Sequence, residues 1–223
     1  MVKFSKETIG YGKVIGSPRV LQDAEFERCE FEGGALVQFD DPTCGLIVRN
    51  FILCRCRGGG NVEMHGVRFE NIVVDGIGNR EIRFRSCIFD RVKLRGRIGP
   101  IMTMQALSSL SAETRAAFQD QAVKSYADIE WALDISEAEF SDVDFTYVPG
   151  KLVRRNPETQ FLVRREAAQA AALDSLPVYV SVLVERAAMS PYETTVAPVP
   201  TRSKNADRYR AQLQELRDRG IAE

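Results

Sequence analysis

The chain has 223 residues, 44% of them hydrophobic and 27% charged, values that exclude a disordered polyelectrolyte or a fibrous repeat and allow a sizeable core. Lysine and arginine number 30 against 31 acidic residues, and a net charge of −1 argues against nucleic-acid binding through gross charge. The opening Met1-Val2-Lys3-Phe4-Ser5-Lys6-Glu7 lacks the apolar stretch of an export signal, and no run of about eighteen apolar residues offers a membrane span, so a cytoplasmic protein with no membrane partner is expected.

Residues 1–18 contain Gly10, Gly12, Gly16 and Pro18 and read as an irregular lead-in or capping strand. Over 19–100 a hydrophobic pattern returns four times: Phe26-x-x-Cys29-x-Phe31, Val48-x-x-Phe51-x-Leu53, Phe69-x-x-Ile72-x-Val74 and Phe89-x-x-Val92-x-Leu94. Its first members are 22, 21 and 20 residues apart. A period of that size means one small unit stacked on copies of itself, because a single unit cannot bury its own apolar face. Residues 101–134 interrupt the repeat with a helical periodicity that starts near Ser111 and offers Phe118, Val123, Ile129 and Trp131 to the coils.

A fifth copy, Phe140-x-x-Val143-x-Phe145, makes residues 135–148 a final coil. Residues 149–190 read as a helical cap, with 160–168 Ala-rich and helical, Pro177 as an interruption, and 178–184 open between a buried strand and a short helix. Pro191, Pro198 and Pro200 mark 191–204 as an extended linker. Residues 205–223 read as an exposed helix with a thin apolar side of Tyr209, Leu213 and Leu216, too short to be stable without docking.

A finer spacing of five lies inside the repeat. In Ile82-x-Phe84, Cys87-x-Phe89 and Val92-x-Leu94 a small or branched residue precedes a large apolar one by two positions, with Arg85, Asp90 and Arg91 between the pairs. The pattern resembles the pentapeptide-repeat family, best over 80–97 and more briefly at 24–33, 67–76 and 138–147. That resemblance implies a mainly β fold with some α: a right-handed parallel, quadrilateral β-helix, carrying here a helical insertion and C-terminal helices. Stretches 33–41 and 58–65 do not follow the five-residue rule, so a more general parallel β-helix with about twenty residues per coil stands beside it.

Candidate chemistry is sparse. Cys29 and Cys87 occupy inward repeat positions, while Cys44, Cys54, Cys56 and the single histidine, His65, are spaced C-x9-C-x-C-x8-H. Structural zinc sites use a paired C-x2–4-C knuckle, so these read as core or coil-edge thiols, with no metal and no cofactor expected. There is no G-x-S-x-G, no Gly-rich loop followed by Lys and Ser or Thr, and no H-E-x-x-H; Gly58-Gly59-Gly60-Asn61 reads as a coil corner. Two acid pairs keep a carbohydrate-active β-helix in view as an alternative. Asp40 and Asp41 precede Pro42 and read as a turn, while Asp142 and Asp144 are assigned to outward, solvated positions.

Charge is segregated along the chain. Asp23, Glu25, Glu27, Glu30, Glu32, Asp40 and Asp41 crowd the first coil, and Arg80, Arg83, Arg85, Arg91, Lys93, Arg95 and Arg97 the later ones. Stacked in order, they give an acidic end and a basic end; the bland alternative is that the two signs interlock between coils as weak surface pairs. The functional version takes Arg83, Arg85, Lys93 and Arg95 as the contact surface for another protein. The expectation is a non-enzymatic interaction scaffold, concretely a neutralising immunity protein or antitoxin for a cognate toxin. A topoisomerase-directed or self-assembling scaffold, including a homodimer, is the competing reading implied by the resemblance.

Overall fold

The computed structural model describes residues 1–60, 62–78 and 80–223, and through them the chain passes back and forth between two parallel sheets. β1 (Val2–Ser5), β2 (Thr8–Ile9) and β3 (Gly12–Ile15) form a first turn; β4 (Arg19–Glu27), β5 (Glu30–Phe31) and β6 (Gly34–Val37) form a second. Then come β7 (Leu46–Gly58) with β8 (Val62–His65), β9 (Val67–Gly78) with β10 (Ile82–Arg85), and β11 (Ile88–Ile98) with β12 (Ile101–Met104). After the helix α1 (Ala112–Ala127) a sixth turn, β13 (Leu133–Phe140) with β14 (Val143–Asp144), is followed by β15 (Val153–Arg154).

The larger sheet runs β1-β4-β7-β9-β11-β13-β15 with β2 and β5 beside it, the smaller one β14-β12-β10-β8-β6-β3, and the pairings in both are parallel. Each strand thus lies against the one a turn later, as in a solenoid-like stack. None of the helices among the described residues is long and apolar enough to cross a membrane.

Val48, Phe69 and Phe89 are register partners on successive turns, as the twenty-residue pattern predicts. Phe69 and Phe89 stack with centroids 5.7 Å apart, and Phe84 meets both edge-on from the opposite sheet. The outer two copies are corrected: Phe26 faces Leu53, and Phe140 faces Ile98. Inward pairs recur every five residues as well as every twenty, so a copy displaced by one or two faces carries the same residue types and counting alone does not detect the slip.

The strands of the larger sheet bend at left-handed residues. Asp23, Asn50, Asn71 and Arg91 have φ of 62°, 55°, 54° and 56°, and five residues later Arg28, Arg55, Gly76 and Gly96 have φ of 54°, 55°, 77° and 66°. This conformation costs a side chain about 1–2 kcal/mol, least for Asn and Asp, which bond locally. Here the first corner column is tied along its length: Asn50 Nδ2 donates to Asp23 Oδ1 at 2.8 Å, Asn71 Nδ2 to Asn50 Oδ1 at 3.4 Å, and Arg91 Nε to Asn71 Oδ1 at 2.7 Å.

Several sequence readings change. Residues 1–18 are a complete turn and not an irregular lead-in, with Phe4 stacked on Phe26 at 4.9 Å; the glycines mask an inward row, Phe4, Ile9 and Val14, at the five-residue spacing. The insertion is shorter than 101–134, because 101–104 is β12 and Leu133 already opens β13. Its helix does begin where Ser111 caps it, the hydroxyl accepting from Thr114 N at 3.1 Å, and it buries Phe118 and Tyr126.

At the C-terminal end, 160–168 is not one helix but β16 (Gln160–Arg164) followed by α2 (Arg165–Ala170). The expected linker holds β17 (Thr194–Pro198), buried throughout and antiparallel to β16. Alternation of Phe161 and Val163 into a second core outweighs the helix propensity of their neighbours. Pro177 starts α3 (Val178–Met189) instead of interrupting a helix, since proline suits a helix N-terminus. The tail helix α4 (Ala206–Asp218) is docked: Leu213 and Leu216 are fully buried with Val180 and Val184, and Tyr209 stacks on Tyr179 at 3.9 Å.

Candidate functional site

Arg83 and Arg85 lie on β10 in the smaller sheet, Lys93 and Arg95 on β11 in the larger, with left-handed corners at Ser86 and Arg91 between them. The structure therefore brings them together as two pairs on different sheets. Each touches a carboxylate. Arg83 pairs with Glu81 on its own turn, which raises its guanidinium pKa through a side-chain hydrogen bond. Arg85 Nε reaches Glu63 at 2.8 Å and Arg95 reaches Asp75 at 2.9 Å, both one turn earlier. Lys93 reaches Glu137 at 2.9 Å and Asp134 at 3.8 Å one turn later, and its hydrogen bond to Glu137 holds the ammonium above its ordinary value.

A second ladder of alternating sign climbs the neighbouring face: Arg49 to Glu70 at 3.2 Å, Glu70 to Arg68 at 2.8 Å, Arg68 to Asp90 at 3.7 Å and Asp90 to Arg91 at 3.3 Å. Lys3 of the first turn pairs with Glu25 of the second at 2.6 Å. The cations of the later turns named here are thus paired with carboxylates, several of them on a neighbouring turn, and the exposed pairs among them contribute about 0–1 kcal/mol each.

The cysteines and the histidine serve the packing. Cys44 donates to Ser86 O at 3.5 Å, and burial, with Asp41 nearby, pushes its thiol up to about 12. Burial likewise raises Cys87 and Cys56, the latter donating to Phe26 O at 3.4 Å. His65 is fully buried between Phe39 and Phe118. Leu107 N donates to its Nε2 at 3.3 Å, which leaves the Nδ1 proton to bond Gln38 O at 2.6 Å. Burial lowers its pKa and keeps the ring neutral. Among the described residues no group of three or more His, Cys, Asp or Glu side chains is placed to hold an ion.

One member of each acid pair is held in place. Burial opposes ionisation of Asp41, but hydrogen bonds from Ser17, Thr43 and Gly45 outweigh it and hold the carboxyl below its ordinary value. Asp144 is not solvated as expected from the sequence: it is buried, accepts from Thr146 N at 2.7 Å and pairs with Arg186 of α3. In the glycine run, Gly59 N donates to Phe31 O at 2.7 Å, and a Cβ on Gly60 would lie 2.1 Å from Glu32 O, so close approach of the second turn demands glycine there. Asn61 lies outside the described residues.

What the sequence reading missed is the difference between the two ends of the stack. The sixth turn is covered: Gln160 Nε2 donates to Ile135 O at 2.7 Å, Arg202 N to Phe140 O at 2.9 Å and Ser190 Oγ to Thr146 O at 2.9 Å. At the other end β1 and β3 terminate their sheets with one edge unpaired, and the inward residues Phe4, Ile9 and Val14 are only half-buried. Val2, Tyr11, Ile15 and Val20 are 61%, 65%, 50% and 47% exposed around them. The signal available for this was the five-residue spacing of Phe4, Ile9 and Val14. Comparison of the chain with protein-family models, curated proteins and solved structures gives no match.

Proposed function

We propose that the chain is a non-enzymatic scaffold that binds another protein, built as a right-handed quadrilateral β-helix of the pentapeptide-repeat kind. Support for the square coil comes from its corners: left-handed residues five apart at 23 and 28, 50 and 55, 71 and 76, and 91 and 96, repeated turn after turn. The right hand follows the strong preference of parallel strand connections.

The observation that carries the binding reading is the open first turn. The unpaired edges of β1, β2 and β3, flanked by Val2, Tyr11, Ile15 and Val20, form an apolar, hydrogen-bond-competent surface of the kind a partner chain covers. In its concrete form the partner is a cognate toxin and this chain its immunity protein or antitoxin. Arg83, Arg85, Lys93 and Arg95 form the competing contact surface, since the Arg83 and Arg95 side chains remain 50% and 44% exposed.

The test is capture from the native host with the tagged chain as bait. One protein is expected at near-equal stoichiometry, lost with Tyr11→Glu combined with Ile15→Glu, and its toxic activity is expected to fall when this chain is added. A captured topoisomerase would establish the competing scaffold reading, and turnover of a glycan panel would establish an enzyme.

A further inference from the structure

The core of the stack is not filled. An apolar cavity of about 380 Å³ runs inside it, with a lining that extends from Ile9 in the first turn to Phe145 beside the sixth. One contribution to it is legible in one inward row. Ile9 faces Phe31, and Phe31 faces Gly58, so the third turn places glycine where the turns before it place large side chains. The adjacent row has no such gap, with Phe26, Leu53, Val74 and Leu94 in register. Packing does not require this glycine: a Cβ built on Gly58 meets only Gly78 O, at 3.7 Å, and its φ lies outside the left-handed region. The omission leaves space that an ordinary side chain would occupy.

The length of the void suits an elongated apolar ligand. Five spacings of about 4.8 Å separate six stacked strands, a length of about 24 Å. The volume of about 380 Å³ then gives a mean cross-section of about 16 Å². Carbon atoms meet at about 3.5–4.0 Å, so one column of methylenes needs about 13 Å². A single unbranched chain fits this section. Apolar cavities less than half this size stay dry and take up apolar guests. Arg80, exposed and the only charged residue among the described lining residues, supplies one cation for a headgroup.

We infer that the interior of the stack is a binding channel for a single-chain aliphatic carboxylate, a reading that does not rest on the partner surface proposed above. Titration of the full chain with decanoate and dodecanoate, followed at the ¹³C-labelled methyl of Met64, which lines the channel, tests this directly. A saturable one-to-one shift is expected, with dodecanoate bound about 15-fold more tightly than decanoate, the value for two buried methylenes. Gly58→Leu, which continues the row of Phe31 into the void, is expected to raise the melting temperature and weaken dodecanoate at least tenfold. Arg80→Ala, at an exposed position, is expected to weaken dodecanoate severalfold and leave dodecanol unchanged. Absence of a saturable Met64 shift in the unmodified protein overturns the proposal whatever the variants do, as does undiminished binding by folded Gly58→Leu. Equal effects of Arg80→Ala on acid and alcohol overturn the headgroup assignment.

Discussion

Removing one hydroxyl, Tyr126→Phe, tests how the helical insertion is joined to the stack. Amides on inner strands and corners donate to the carbonyl one turn on: Lys6 N to Glu27 O at 2.9 Å, Arg28 N to Cys54 O at 2.8 Å, Gln38 N to His65 O at 3.0 Å. At Phe89 this continuation fails, because the chain has left for α1 and β13 begins only at Leu133, the partner of Val92. The acceptor is supplied instead by the phenol of Tyr126, 3.2 Å from Phe89 N, with both residues buried. Phenylalanine keeps the ring and its edge-on contact with Tyr192 but leaves a buried N–H without a partner, an expected cost of about 1–3 kcal/mol. Urea unfolding should show a lower midpoint with an unchanged slope, and the Phe89 amide should exchange faster with solvent. A change within about 0.5 kcal/mol together with unaltered Phe89 exchange would refute the claim that α1 substitutes for a missing strand.

Truncation in the stacked aromatic row, Phe69→Ala or Phe89→Ala, is expected to cost about 3–5 kcal/mol by denaturant unfolding, while exposed Glu27→Ala stays within about 0.5 kcal/mol; equal small effects would contradict the assignment of faces. Because burial depresses the pKa of His65, folding excludes its proton, so stability is complete above the unfolded value of about 6.5 and falls as pH drops below it, by at most about 1.4 kcal/mol per unit. It is the only histidine, so a flat stability profile from pH 7 to 5 would count against its buried neutral state. Of five free cysteines only Cys54 is not buried, so a thiol reagent should modify one cysteine rapidly and the other four only on unfolding.

The stack was legible in the sequence because large apolar residues at Val48, Phe69 and Phe89 must meet on one face, and no other arrangement buries a twenty-residue period. Its exact register was not, since the five-residue pattern makes adjacent faces equivalent in composition. The first turn was hidden by its glycines and is set by pairing with the second turn, whereas β17 was hidden by its prolines and is set by burial. Charge segregation along the chain was visible, but its neutralisation by Glu63, Asp75 and Glu137 depends on which turn lies beside which, and this follows only from the register. The open end and the empty row at Gly58 are likewise properties of stacking order.

The most direct measurement compares thermal stability and affinity for the captured partner on two double variants. Tyr11→Glu with Ile15→Glu changes exposed residues of the open turn and should leave the melting temperature unchanged while weakening the complex more than tenfold. Arg85→Glu with Arg95→Glu removes the pairs to Glu63 and Asp75 and should lower the melting temperature slightly while leaving affinity intact. The reverse result, affinity lost with the arginines at low salt and retained with Tyr11 and Ile15 replaced, would contradict recognition through the first turn and place it on the cations.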